Sequence, residues 1–517
     1  MANKLLFQTA SRVPAPTKTN RAGGKSYQLS DAETLAQYVV TSCFNDVYYS
    51  SGKEQLDRVA EVCSNVEPEL IAKAAVYGHQ EGNMKDVPAY LLAVLSSKGE
   101  LDLVEKIFDR VITNPKMLFN FVQIVRSGVT GRKSFGSAIK RLINNWITKR
   151  TGNKLFLASI GNKNPSLVDV IKMTHPKPKN SEQESLFGYL LGREYEVQEL
   201  PSLVTEFENF KSDNSNPIPD MDFRALTNCV LTKEHWKEIA MNMPWNALRM
   251  NLRNLDKHDV FKDREVLEYV AGKISNPEEV RKWNAFPYQL LTTYQNTDGL
   301  HSKIRIALQD ALEIATENVP SMGENVAVCI DVSGSMAWGG VTGSRGSATS
   351  NTRPIDVASL IGASVGRANP TAKIVAWGTN ARFVEEFNPK DSIVTNANYL
   401  ANQGNICGHG TRAESALNLL VESGEKYDTV IFVSDCQSWM GGNDQMSKLW
   451  SQLKRRSKNA RLVEMNLQAY DDSMLPNSDP DIMTIGGFSD SVFNVIASFS
   501  SRDKNSSFLN EIETVKL

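Results

Sequence analysis

Asp331, Ser333 and Ser335 stand at alternate positions in VAVCIDVSGSMAWGG (326–340), directly after a run of apolar residues. Along an extended backbone alternate side chains point the same way, so the three oxygen-bearing groups can converge at the mouth of a strand. A carboxylate with two hydroxyls suits a hard cation, Mg²⁺ or Mn²⁺. The same residues also suit a tight turn, since Ser and Gly are ordinary turn formers, or a nucleophile. Two later residues favour the cation. Thr411 lies in the Gly-rich stretch CGHGTRAESAL, which opens a helical run, and Asp435 closes VIFVSD. A second hydroxyl-bearing loop and a second carboxylate complete an oxygen shell, so a divalent cation is the expected cofactor.

The catalytic alternatives find less support. GASVG (362–366) matches the G-x-S-x-G pattern, but that pattern requires a preceding strand, and Ser364 sits inside the helical run DVASLIGASVGRA. Ser333 as a nucleophile needs a histidine base. His409 is the sole histidine after Pro320. An aspartyl-phosphate role for Asp331 would call for an acid two residues on, where Ser333 stands. No G-x-x-x-x-G-K-[ST] loop is present. No catalytic residues are assigned, and the chain is not expected to be an enzyme.

The elements that must position these residues fall into two groups. From about Leu29 to Glu317, segments such as EPELIAKAAVYGHQ and LDLVEKIFDRVI repeat apolar residues at three- and four-residue steps, with short polar breaks between them. Many moderate helices in succession predict a stacked helical array. After Pro320 the pattern changes. NVAVCID, AKIVAWGT (372–379), DTVIFVSD (428–435) and RLVEMNL (461–467) are short apolar runs, and helical stretches separate them. Strands alternating with helices predict a parallel, doubly wound α/β sheet. Ligands of such sheets sit at the carboxyl ends of strands, where Asp331 and Asp435 fall.

Charge adds a third feature. The 517 residues carry a net charge of −2, which marks no polyanion partner. Locally the balance differs: Arg110 to Lys179 hold 14 Lys and Arg against one acid, Asp169. Solvated faces normally mix signs, so this island is the footprint of a nucleic-acid site. Within it, FGSAIKRLINNWITKR (135–150) is amphipathic, with Phe135, Ala138, Ile139, Leu142, Ile143, Trp146 and Ile147 as its apolar stripe. No helix-turn-helix, zinc finger or homeodomain pattern is present, which favours RNA shape or single strands over DNA sequence. The six cysteines are dispersed without a C-x-x-C pair, as reduced thiols would be. No apolar run approaches the length of a membrane span and no signal peptide is visible, so a cytoplasmic protein with no membrane partner is expected.

From Ser321 to Leu517 the chain resembles the von Willebrand factor A domain, and Asp331, Ser333, Ser335, Thr411 and Asp435 match its metal-ion-dependent adhesion site. That resemblance implies binding: the family's metal leaves one position for a partner's carboxylate. The Gly/Ser-rich loop at 337–353 departs from the pattern and bears on access. Upstream, NRAGGKSYQLS (20–30), LAQYVVTSCFNDVYYSS (35–51), GRKSFGSAIKRLINNW (131–146), THPKPKN (174–180) and MPWNALRMNLRNL (243–255) resemble a TROVE module. Together the modules resemble the Ro 60 kDa autoantigen family. The expected division is an N-terminal segment, 1–17, a TROVE module, 18–320, and an A domain, 321–517.

The resemblance implies a HEAT-like α-solenoid closed into a ring by the A domain. It implies a small structured Y-like RNA on the basic outer surface and single-stranded 3′ ends of misfolded RNA in the central hole. It further implies a monomer that scaffolds RNA quality control or decay with an exoribonuclease such as polynucleotide phosphorylase. Arg132, Lys133, Lys140, Arg141, His175 and its neighbour Lys177 are the RNA contacts carried over, with Lys154 and Lys163 added from charge alone. His175 precedes a proline and could instead cap a helix. The alternative function is a metal-dependent, protein-binding adaptor acting through the A domain.

Overall fold

In a computed structural model the described residues are 14–161, 164–226, 229–283, 287–317, 319–345, 348–349, 352–441, 443–501 and 507–517. The chain divides into two compact units. One joins the residues up to Asn65 with Thr316–Thr514; the other comprises Val66–Ala315 and Val515–Leu517.

The first unit is built on strands. They are β1 (Lys18–Thr19), β2 (Lys25–Gln28), β3 (Val326–Asp331), β4 (Ser344–Arg345), β5 (Ala348–Thr349), β6 (Lys373–Trp377), β7 (Ala381–Phe383), β8 (Thr429–Ser434), β9 (Arg461–Asn466), β10 (Asp472–Ser473) and β11 (Ile482–Gly486). The main sheet runs β11-β9-β8-β3-β6-β7. All its pairs are parallel except β6–β7 at one edge. β3, β6, β8 and β9 are the four strands expected from the apolar runs. β7 and β11 are additions that the sequence reading did not single out.

Every residue of β3 and β8 is buried, which explains why both read as unbroken apolar runs. Ala327 and Cys329 of β3 and Val375 and Trp377 of β6 join a core with Leu417 and Leu420 of helix Ala413–Glu422 and Leu449 and Leu453 of helix Asn443–Arg456. Ile330, one step out of phase, points the other way. It meets Gly362 of helix Pro354–Ala368 so closely that a Cβ there would lie 2.3 Å from Ile330 Cδ1. Helices therefore cover both faces of the sheet.

From β3 the chain crosses to β6 on one side, whereas β8, β9 and β11 extend on the other. The gap between β3 and β8 is the topological switch point, where the carboxyl ends of adjacent strands splay their loops apart.

The division expected at residues 17/18 and 320/321 differs from the one observed, because residues 18–65 fold with the α/β unit. β2 pairs antiparallel with β10, and Gln37 of helix Asp31–Thr41 donates to the Asn466 and Gln468 carbonyls at 3.3 and 3.2 Å. Lys18 and Arg58 both pair with the buried Asp471 carboxylate. The helical grammar of 31–65 is correct; its partner is set by backbone pairing and ion pairs hundreds of residues away.

The second unit is helical throughout its described residues. Pro68–Gln80, Asp86–Lys98, Leu101–Val111, Pro115–Ser127, Gly136–Thr148, Gly152–Ser159 and Leu167–Thr174 follow one another, each packing mainly on near neighbours in the chain. This is the quasi-linear array expected from the periodicity. Gly136–Thr148 buries Ile139, Leu142, Ile143, Trp146 and Ile147, the predicted stripe, and Phe135 is buried just before it. Ala138 lies at the edge, half-buried. Trp146 Nε1 donates to the Ile112 carbonyl, which satisfies the one polar atom on the stripe.

Candidate metal site and basic face

Three loops meet at the switch point. The first leaves β3 as Asp331–Ser335. Its Gly334 N–H donates to the His409 carbonyl of the second loop at 2.9 Å. The second loop's Thr411 carbonyl accepts from the Trp439 and Met440 N–H groups of the third, at 3.1 and 3.0 Å. The third leaves β8 through Asp435. These cross-links gather all five predicted residues: Asp331, Ser333, Ser335, Thr411 and Asp435 are each buried.

Within the cluster, Ser333 N–H donates to Asp331 Oδ1 at 2.9 Å, and the Ser333 and Ser335 hydroxyls lie 3.3 Å apart. Ser434, the last residue of β8, donates its hydroxyl to Asp331 Oδ2 at 2.6 Å. Gln437 N–H donates to Asp435 Oδ1 at 3.1 Å. Burial pushes both carboxyls up, and the Asp435 charge pushes Asp331 further. Two carboxylates buried together without a counter-cation cannot both ionise comfortably. Two acids and three hydroxyls on three adjoining loops are the donor types that a hard cation such as Mg²⁺ or Mn²⁺ takes. Asp331 and Asp435 would supply the charge, and Ser333, Ser335 and Thr411 neutral oxygens.

Among the described residues no histidine is poised on Ser333, whose side chain interacts with the Asp331 carboxylate. Its hydroxyl partners Ser335, and His409 is exposed. Ser364 lies buried in helix Pro354–Ala368, donating to the Leu360 carbonyl at 2.8 Å, so GASVG is a packing motif.

Two features of the site escaped the sequence reading. Ser434 is one; the adjacent S-D at a strand end was its only signal. The other is the N-terminal segment. Arg21 N–H donates to Gln437 Oε1 at 2.9 Å and Asn20 Nδ2 to the Ser438 carbonyl at 2.7 Å, so residues 20–24 brace the third loop. Gly24 is required there, since a Cβ would fall 2.0 Å from the Ser438 carbonyl oxygen. Residues 44–51 reach the site from another side. The loop at 337–353 contributes Trp338 and Gly340 to its surroundings; its residues 346–347 and 350–351 lie outside the described residues.

The predicted RNA contacts are not equivalent. Lys133, Lys140, Lys154, His175 and Lys177 are exposed. Lys163 lies outside the described residues. Arg132 is half-buried and spends its guanidinium on three carbonyls, those of Ser134, Ser96 and Phe135, at 2.7, 2.8 and 2.9 Å. Arg141 pairs with Glu105 at 2.9 Å and Lys149 with Asp109 at 2.6 Å. Both acids come from helix Leu101–Val111, outside the acid-free stretch of sequence. The island is therefore less unbalanced in space than along the chain. Arg150 stacks on Trp146 with its guanidinium 3.1 Å from the ring centroid. His175 adopts φ +53° as the C-cap of helix Leu167–Thr174, its N–H donating to the Ile171 carbonyl at 2.9 Å. The helix-capping alternative thus holds for its backbone, and the ring stays exposed.

A parallel sheet with an acid-and-hydroxyl cluster at its switch point, following a long helical array in one chain, defines an A-type domain protein with a helical module. Residues 325–500 match the family model described as the Ro60 vWA domain. The chain is similar to "RNA-binding protein RO60" of Caenorhabditis elegans, 21% identical, with 93% of this chain and 89% of that protein covered. It is likewise similar to "RNA-binding protein RO60" of Deinococcus radiodurans, 21% identical, with 96% and 98% covered. The crystal structure of the Deinococcus radiodurans RO (RSR) protein shares the fold, with a TM-score of 0.65 at 16% identity, covering 91% of this chain and 99% of that one. Over residues 325–500 the chain thus matches a Ro60 vWA domain, and along nearly its whole length it is similar to RO60 proteins.

Proposed function

We propose that this chain is a non-catalytic RNA-binding protein of the Ro type. It takes a small structured, Y-like RNA on the exposed basic residues of its helical unit and also binds single-stranded 3′ ends of misfolded RNA. It presents these to an exoribonuclease in the cytoplasm, acting as a monomer. The observation that carries the reading is the cluster Lys133, Lys140, Lys154, His175 and Lys177, exposed on or beside successive helices. The naming of both full-length relatives as RNA-binding proteins supports it. Exposed lysines projecting from a helical scaffold neutralise phosphates and release counterions, so binding should weaken steeply with salt. The A-domain site holds a divalent cation in this reading. No helix among the described residues is long and apolar enough to cross a membrane.

The test is direct. Protein purified without nuclease treatment should carry RNA, seen as a raised A260/A280 ratio, and sequencing identifies it. A stem-loop RNA with a free 3′ tail should then bind with a log–log salt slope of several units. Nucleic-acid-free protein together with a flat salt response rejects the proposal.

A further inference from the structure

The face of the metal site through which another protein's carboxylate would approach is taken up by this chain's own N-terminal segment. Asp46 N–H donates to the Ser344 carbonyl at 2.9 Å and Ser344 N–H returns to the Asp46 carbonyl at 2.8 Å, a two-bond bridge onto β4. Asn45 Nδ2 donates to the Thr342 carbonyl at 2.8 Å, and Tyr49 N–H donates to the Tyr470 hydroxyl at 3.2 Å. The Tyr48 ring sits edge-on to Trp338 at 5.3 Å, and Tyr49 edge-on to Tyr470 at 6.1 Å. Two glycines let the segment lie this close. A Cβ on Gly343 would be 2.8 Å from the Asp46 carbonyl oxygen, and one on Gly52 would be 2.1 Å from that of Phe44.

Beneath this cover is a cavity of about 10 Å³ lined by Val47, Tyr48, Ser335, Trp338, Asp435 and Tyr470, among others. That is room for about one water. With residues 44–51 in place, that space beside Asp435 is too small for a partner's carboxylate side chain.

We propose that residues 44–51 are a built-in cap on the site, so that it clamps the N-terminal segment to the A-type unit instead of docking a second protein. The cap stands on the hydrogen bonds and ring contacts above; its role toward a cation rests on the metal reading of the proposed function. Its consequence is specific. A cation under the cap exchanges its water slowly, and the adaptor mode requires the cap to lift.

Two measurements on the full chain separate the cap from the cation. The first is amide hydrogen exchange of residues 42–52 in chelator and in Mg²⁺. The cap predicts protection of the Asp46 and Tyr49 amides on the order of 10-fold or more in both conditions, as bonded backbone requires. The second is water-proton relaxation by Mn²⁺ bound to wild type, to Tyr48→Ala/Tyr49→Ala and to Trp338→Ala. The third protein opens the roof from the opposite side at an exposed residue, should the double variant fold poorly. Capping predicts about a 2-fold greater relaxation per bound Mn²⁺ in the opened variants, because an inner-sphere water gains access. Unprotected amides at 46 and 49, or equal relaxation in all three proteins, overturn the cap. Protected amides with no Mn²⁺ binding to any protein uphold the cap as a cover and reject the cation instead.

Discussion

Ser434 donates its hydroxyl to Asp331 Oδ2 at 2.6 Å, joining the last residue of β8 to the last of β3 across the central strand pair. The bond fixes the orientation of the Asp331 carboxylate from one side, while Oδ1 accepts from the Ser333 N–H on the other. A residue that orients a ligand in this way governs affinity without touching the ion. Ser434→Ala should leave the fold intact and weaken Mn²⁺ binding by about 10-fold. Isothermal titration checks it; unchanged affinity would mean that Ser434 only packs.

Asp331 and Asp435 oppose each other unless a cation lies between them. Asp331→Asn should abolish the rise in melting temperature that Mg²⁺ gives the wild type, because half the anionic ligand set is gone. In chelator the same variant should melt above chelated wild type, since one of two buried like charges has been removed. Thermal scans with and without Mg²⁺ read both halves.

Arg132 and Lys140 separate structural from binding cations. Arg132→Ala strands three carbonyl partners and should cost about 2 kcal/mol of stability, measured by denaturant unfolding. Lys140→Glu, at an exposed position, should leave stability unchanged. Its effect should be weaker RNA binding and a salt slope shallower by about one unit or more. An Lys140→Glu variant that binds RNA as wild type does would remove this helix from the interface.

Glu105 and Asp109 hold Arg141 and Lys149 in ion pairs at the surface. Exposed pairs of this kind contribute little to stability. Glu105→Gln with Asp109→Asn should therefore unfold as wild type does, yet bind RNA several-fold more tightly at low salt by releasing two cations. Filter binding at two salt concentrations tests this, and a loss of affinity would contradict it.

Glu464 on β9 is fully buried, and burial pushes its carboxyl up to about 8 from 4.5. It accepts from Met474 N–H at 3.0 Å, and its Oε1 has no hydrogen-bond partner among the described residues. A carboxyl that holds its proton more tightly folded than unfolded contributes stability in full below pH 4.5. That contribution is lost as pH rises through about 8. Glu464→Gln keeps the acceptor and removes the charge, so its melting temperature should fall less than wild type between roughly pH 6 and roughly pH 9. Parallel curves for the two proteins would assign the alkaline loss to other groups.

The sequence by itself determined what local pattern can encode. The four apolar runs became β3, β6, β8 and β9 because strands buried on both faces need unbroken apolar residues. The gathering of Asp331, Ser333, Ser335, Thr411 and Asp435 on three adjoining loops was legible because strand ends deliver side chains to one edge of a parallel sheet whatever the loops between them. The stripe from Ile139 to Ile147 was legible because a helix has one period.

Tertiary structure alone decided the rest, because charge pairing and backbone pairing join residues remote in sequence. It put residues 18–65 with the α/β unit through β2–β10 pairing, although their helical pattern reads like the array that follows. It spent Arg132 on carbonyls and set Glu105 and Asp109 against an island that contains one acid along the chain. It also laid Tyr48 and Tyr49 beside Ser335 and Asp435, residues that come nearly three hundred positions or more later. Spacing reveals which atoms a site can use; only packing reveals what stands in front of them.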